Sequence, residues 1–243
     1  VTLPALNAVI FDLGGTLVYP TTTSRDNAAH LEAWRNSRGL RPDLDAAIRD
    51  AREWMWRMTR ATGRQYTTQE AIRRAFEQLG LPPADQAFVE EAEQAFFEPE
   101  LAGYRLFPGA LALLQRLRAR GVRVGCISNA SSHWLIERIV DQLGLKAFLD
   151  AVTSSAEYGR VKPDAGIFLA MLNRLGAPPA RAAMVGDTLE ADIGGGRAVG
   201  MKTVYVTMTP NPDNVNHTHI VADAEAESLA AAERILVRWI EAD

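Results

Sequence analysis

Short, mostly apolar runs alternate along much of the chain with longer stretches whose apolar residues recur at helical spacing. The runs are Ala8-Val9-Ile10-Phe11, Val122 to Ile127, Ala182-Ala183-Met184-Val185 and Thr203-Val204-Tyr205-Val206. Runs apolar on both faces are predicted as strands of a parallel sheet covered by helices on each side. Phe148 to Val152 and His219 to Val221 are weaker candidates. Helices are predicted over about 109–120, 131–143, 164–175, 190–199 and 225–240, and Gly121, Gly144, Gly176 and Gly200 stand where helices commonly end. This alternation predicts an α/β fold, a doubly wound parallel sheet.

From about residue 24 to 99 the pattern changes to four helix-like segments without a convincing strand. Their breaks fall at Gly39 to Pro42, Thr62-Gly63 and Gly80 to Pro83, and Thr67 with Glu70 forms a capping-box signature opening the third segment. An all-helical domain over 21–100 is therefore predicted, inserted into a sheet domain made of 1–20 and 101–243. Trp34, Trp54, Trp56, Phe76, Phe88, Phe96 and Phe97 are expected chiefly to pack the insert, with one or two facing a ligand. Thr207 to Thr218 reads as a surface loop, and Gly194-Gly195-Gly196 as a site of close helix packing rather than a nucleotide-binding loop.

Composition narrows the function. With 26 Lys+Arg against 30 Asp+Glu, the net charge of −4 disfavours a nucleic-acid partner. No apolar run approaches the roughly 20 residues that span a bilayer, and Val1-Thr2-Leu3-Pro4 lacks a basic leader, so a cytoplasmic location without membrane attachment is expected. The single cysteine, Cys126, falls within a strand pattern and reads as a small buried hydrophobe. His133, His217 and His219 lack the spacing of a zinc site. No heptad seam decides between a monomer and a homodimer.

In a parallel α/β sheet, ligands bind beyond the carboxyl ends of the strands. The residues there are Asp12-Leu13-Gly14-Gly15-Thr16, Ser128-Asn129 and Gly186-Asp187, with Lys162 just ahead of the helix near Asp164. Two acids, a hydroxyl and an amine on one rim suit phosphoryl transfer. Asp12 is the candidate nucleophile, forming an aspartyl phosphate that water hydrolyses. Asp187 is the candidate ligand for Mg2+, which prefers oxygen donors. Lys162 and Ser128 would neutralise and orient the phosphate oxygens.

Phe-Asp-Leu-Gly-Gly-Thr-Leu, Ile-Ser-Asn, Val-Lys-Pro-Asp and Val-Gly-Asp-Thr-Leu-Glu-Ala-Asp, in this order, resemble the four signature motifs of the haloacid dehalogenase superfamily. The resemblance implies a Rossmann-like core with a helical cap, most often in an Mg2+-dependent phosphatase acting on a small phosphomonoester. It further implies that Asp12, the Gly14 carbonyl and Asp187 contact the metal, with Asp192 supporting them. Gly15, Thr16, Ser128, Asn129 and Lys162 would serve the phosphate, and Asp12, Ser128 and Lys162 the chemistry.

One position departs from the pattern. Gly14 stands where phosphatases of this family usually carry a second aspartate, which protonates the leaving group and then activates water. His133, Tyr158 or a cap residue are candidates to replace it. The alternatives are a 2-haloacid dehalogenase using Asp12 without metal, against which Asp187 argues, and a phosphate-binding or regulatory protein that has lost turnover. Arg25, Arg52, Arg57, Arg60 and Arg64 read mainly as exposed helix-face charges that could reach a second anionic group. The turn from Val18 to Thr23 is a candidate hinge or flap.

Overall fold

The computed structural model describes residues 5–242, so Val1 to Pro4 and the reading of that segment lie outside the described residues. Eight strands and ten helices follow in order: β1 (Ala8–Phe11), β2 (Val18–Pro20), α1 (Ser24–Ser37), α2 (Leu44–Thr62), α3 (Thr68–Gln78), α4 (Gln86–Gly103), β3 (Tyr104–Leu106), α5 (Ala110–Ala119) and β4 (Arg123–Ser128). The rest are α6 (His133–Gln142), β5 (Ala151–Ser154), α7 (Ser155–Tyr158), α8 (Ala165–Leu175), β6 (Ala182–Gly186), α9 (Gly195–Ala198), β7 (Lys202–Val206), β8 (Ala224–Ala226) and α10 (Leu229–Ile240).

Six strands form a parallel sheet in the order β5-β4-β1-β6-β7-β8. The central strand explains why both its faces are apolar. Val9 and Phe11 join the cluster that holds Leu113, Leu114 and Leu117 of α5 and Leu236 of α10, whereas Ala8 and Ile10 join Phe168, Met171 and Leu172 of α8. Alternate side chains of one strand thus enter two separate cores. Cys126, on β4, is buried as expected, and burial pushes its thiol well above the ordinary range. The sheet order reverses direction beside β1, which places a crevice at the carboxyl ends of β1, β4 and β6.

Four predicted elements need correction. Phe148 closes a 3-10 turn, and β5 begins only at Ala151; Asp150 ahead of it is tied to β4 by its side chain, which accepts the Val124 N–H at 2.8 Å, and by its own N–H, which donates to Val124 O at 2.7 Å. His219 to Val221 is irregular, with Val221 exposed; the edge strand is Ala224–Ala226, whose sole deeply buried side chain is Ala226. Consequently α10 begins at Leu229, capped by Ser228, and not near 225. The stretch predicted as a helix over 190–199 opens as a π-helical turn, Leu189–Gly194, before α9. The glycines there permit the packing anticipated for them: a Cβ on Gly195 would stand 2.5 Å from the Phe168 ring.

The helical insertion lies between β2 and β3, which pair as an antiparallel ribbon that the sequence pattern did not reveal. Within it α1 packs on α4 and α2 on α3. Trp34, Phe76 and Phe88 interleave with ring centroids 5.1–5.5 Å apart, so most of the aromatic mass is internal, as expected. The capping box is present: Thr67 Oγ1 accepts from the Glu70 N–H and the Glu70 carboxylate accepts from the Thr67 N–H. The α2–α3 corner docks on the core, where the Thr68 N–H donates to Ser131 O and the Gln65 N–H to Gly159 O, each at 2.9 Å. Among the described residues no helix is long and apolar enough to cross a membrane.

Candidate active site

The crevice gathers the acids that the strand ends deliver. Asp12 leaves β1 with its N–H still donating to Val185 O of β6 at 2.9 Å, which fixes its backbone to the sheet. Asp187 follows β6, and Asp192 is carried inward by the π-helical turn, where its Oδ2 accepts from the Thr188 N–H at 3.0 Å. One oxygen from each of Asp12, Asp187 and Asp192 lies within 4.8 Å of the others, and all three residues are buried.

Lys162 enters this cluster from the loop before α8. Its Nζ donates to Asp12 Oδ1 at 2.6 Å, Asp192 Oδ1 at 2.7 Å and Ile127 O at 2.8 Å, using all three of its donors. Asn129 accepts the Lys162 N–H at 2.8 Å and donates to Lys162 O at 3.0 Å, so it holds the lysine's backbone. Ser128 closes β4 beside it.

The electrostatics follow from burial and from the charge count. Burial pushes the Asp12 carboxyl up to about 7; Lys162 pulls it down, and Asp192 and Asp187 add to the rise. Asp187 is raised as well, first by burial and then by Asp192. For Lys162 burial opposes the charge, but Asp12 and Asp192 outweigh it and hold the ammonium above its ordinary range. Three carboxylates facing one ammonium whose donors are spent form a donor set of hard oxygens in want of a cation, which fits Mg2+.

The turn after Asp12 is built to let Asp187 approach. Gly15 has φ +77°, and a Cβ there would stand 2.3 Å from Asp187 Oδ2, so no other residue fits without displacing that acid. Gly14 is the opposite case: a Cβ would meet nothing within 4 Å. Thr16 is fully buried, its hydroxyl lacks a hydrogen-bond partner, and it does not line the adjoining cavity.

That cavity, about 200 Å³, opens beside Leu13, Gly14, Ser128 and Asn129 and is closed over by Arg52, Trp56 and Phe97 of the insertion. A haloacid dehalogenase-like hydrolase sequence model matches residues 6–200. The chain belongs to the haloacid dehalogenase-like hydrolases. It is 33% identical over 214 residues to a ribulose-1,5-bisphosphate 5-phosphatase of Halopiger xanaduensis, covering 85% of this chain and 87% of the relative. It is 30% identical over 219 residues to a phosphoserine phosphatase of Thermus thermophilus, covering 87% and 86%. In fold it is similar to a 2-haloacid dehalogenase from Pseudomonas syringae, with a TM-score of 0.71 at 24% identity over 96% of this chain and 99% of that one.

In this hydrolase several residues at the site were not legible as such. Asn211 donates to Asp187 Oδ2 at 2.8 Å, and Asn214, buried, donates to Asp187 O at 2.8 Å and accepts the Leu189 N–H at 2.7 Å. The stretch predicted as a plain surface loop therefore folds back to steady Asp187. Its three asparagines were the available signal. Of the five arginines considered for a second anion, Arg52 alone lines the cavity. Its guanidinium lies 4.0 Å from the Phe96 ring centroid and donates to Thr68 Oγ1 at 2.7 Å, and burial lowers its pKa to about 10. His133 and Tyr158, candidates for the acid missing at Gly14, do not line the cavity.

Proposed function

We propose that this hydrolase is a phosphatase of a small phosphorylated metabolite, working through an aspartyl phosphate on Asp12. The observation that carries this reading is the buried cluster in which Lys162 bridges Asp12 and Asp192 while Asp187 completes a triad of acids beside a cavity. Asp12 attacks phosphorus as the ester oxygen departs, and Lys162 holds the attacking carboxylate in place and faces the charge on the phosphoryl oxygens. The Ser128 hydroxyl at the cavity wall orients the transferred group. Asp12, Asp187 and the Gly14 carbonyl would hold Mg2+, which when bound neutralises phosphoryl charge, and Asp192 supports them from behind Lys162. The same excess of buried carboxylate argues against a metal-free dehalogenase. The chain's family and its phosphatase-named relatives point the same way.

The test is phosphate release from a panel of phosphomonoesters with Mg2+ or with a chelator. Turnover that needs the metal and falls by a factor of about 10³ or more in Asp12→Asn is the expected result. Release that persists in chelator, or survives in Asp12→Asn, would overturn the reading.

A further inference from the structure

Two charged side chains of opposite sign stand on the cavity wall, Arg52 and Glu100. Both belong to the insertion, on α2 and α4, whereas Gly14, Ser128 and Asn129 line the core side. The cavity therefore has two ends: the core end serves the phosphate, and a cation with an anion faces the other.

Each of these charges is held in place and left unneutralised. The Arg52 guanidinium lies 4.0 Å from the Phe96 ring centroid, and its Nη1 donates to Thr68 Oγ1 at 2.7 Å. Thr68 is itself tied to the core: its N–H donates to Ser131 O at 2.9 Å, and its hydroxyl lies 3.0 Å from Ser131 Oγ. On Glu100, Oε1 accepts from the Tyr104 hydroxyl at 2.9 Å and Oε2 from buried Asn27 Nδ2 at 2.8 Å. Accepting on both oxygens favours the carboxylate form of Glu100, and each oxygen retains a further lone pair. Arg52 likewise has N–H donors to spare. Glu100 is the foremost of the acids that sustain the guanidinium's charge against burial, so the two sense one another. Yet among the described residues neither forms an ion pair.

A cation alone at this end would suit a second phosphate or a bare carboxylate, but the charge on Glu100 repels both. What satisfies the two residues together is a ligand with a carboxylate and an ammonium side by side. We propose that the insertion end of this cavity is a zwitterion subsite, with Arg52 taking the carboxylate and Glu100 the ammonium of a phosphorylated α-amino acid. This rests on the phosphatase reading and names the substrate class within it. The cavity volume of about 200 Å³ restricts that class to its short members.

The experiment measures kcat/KM of the parent, with Mg2+, on four esters. Phosphoserine carries both charged groups, phosphoglycolate lacks the ammonium, phosphoethanolamine lacks the carboxylate, and p-nitrophenyl phosphate lacks both. Phosphoserine is expected to exceed each half-matched ester by about 10-fold or more, because those leave one charged wall residue without its counterpart. Glu100→Gln is then compared by ratios taken within each protein, which cancel any loss of folded enzyme. Asn27 Oδ1 lacks a partner, so a rotated Asn27 amide can accept from the variant's amide. The phosphoserine-to-phosphoglycolate ratio is expected to fall by about 10–100-fold in this variant, in part because phosphoglycolate gains when the repelling charge is gone. A merely structural role for Glu100 would lower both esters together. Arg52→Gln is expected to lower phosphoserine against phosphoethanolamine by a similar factor. A parent that prefers either half-matched ester to phosphoserine, or an unchanged ratio in Glu100→Gln, would overturn the assignment and leave the phosphatase reading standing. Turnover of no ester, p-nitrophenyl phosphate included, would overturn both.

Discussion

Lys162 is the residue on which the most electrostatic compensation converges. Its buried ammonium is the single cation among three buried carboxylates, and each of its three protons has an acceptor. Removing one member of a buried ionic group leaves the others uncompensated, which typically costs about 3–5 kcal/mol. Lys162→Met keeps most of the volume while deleting the charge, so a stability loss of about that size is expected in chemical denaturation with chelator present. Saturating Mg2+ should recover part of it, since the cation supplies what the ammonium did. A variant as stable as the parent in chelator would show that the acids in this cluster are not simultaneously charged.

At the scale of elements, what the sequence disclosed follows physical rules with known blind spots. The four long strands and the principal helices are legible because both-face burial leaves unbroken apolar runs, and because glycines end the helices. Asp12, Ser128 and Asp187 are legible as neighbours on one rim because a parallel sheet forces its chemistry to the strand ends, and Lys162 because it stands in the loop just ahead of α8. The ribbon β2–β3 is not, since its three-residue strands are 85 or so positions apart in pairing and carry no alternation of their own. The edge strand β8 is similarly hidden, being Ala-Glu-Ala with one inward side chain. Tyr104, which β3 carries to the cavity wall, has no local signature; neither has Arg52, whose helix α2 displays several arginines and turns only this one into the cavity. Arg52 is half-buried, lies among aromatic rings and has no ion-pair partner among the described residues, so its charge suits a second anionic group on the substrate. A hydrogen bond to a charged group contributes about 1.5–3 kcal/mol, so Arg52→Gln should raise KM by about 10–100-fold for phosphoglycolate or phosphoserine while p-nitrophenyl phosphate is spared. A uniform rise across all esters would place Arg52 in cap packing instead.

For the molecule as a whole, the site couples folding to both pH and metal. Burial raises the folded-state carboxyl of Asp12 from 3.8 to about 7, and that of Asp187 in the same direction. Between those values the folded chain holds protons that the unfolded chain has released. Their stabilising contribution is complete below about 3.8 and is lost as pH rises through about 7. Without metal, therefore, this cluster's contribution to stability declines across that window. A divalent cation reverses the trend, because it binds the ionised carboxylates and competes with the protons. The melting temperature should rise little with Mg2+ at pH 5, where protons already occupy the site. At pH 8 it should rise by about 5–10 °C when Mg2+ stands near 100 times its dissociation constant, the equivalent of about 2.7 kcal/mol. Asp12→Asn, with the shared charge removed, should lose most of the difference between the two pH values. Thermal denaturation of parent and variant at both pH values, with chelator or Mg2+, measures all of these quantities without any substrate, and an equal Mg2+ shift at pH 5 and pH 8 would mean that the ion binds away from these acids.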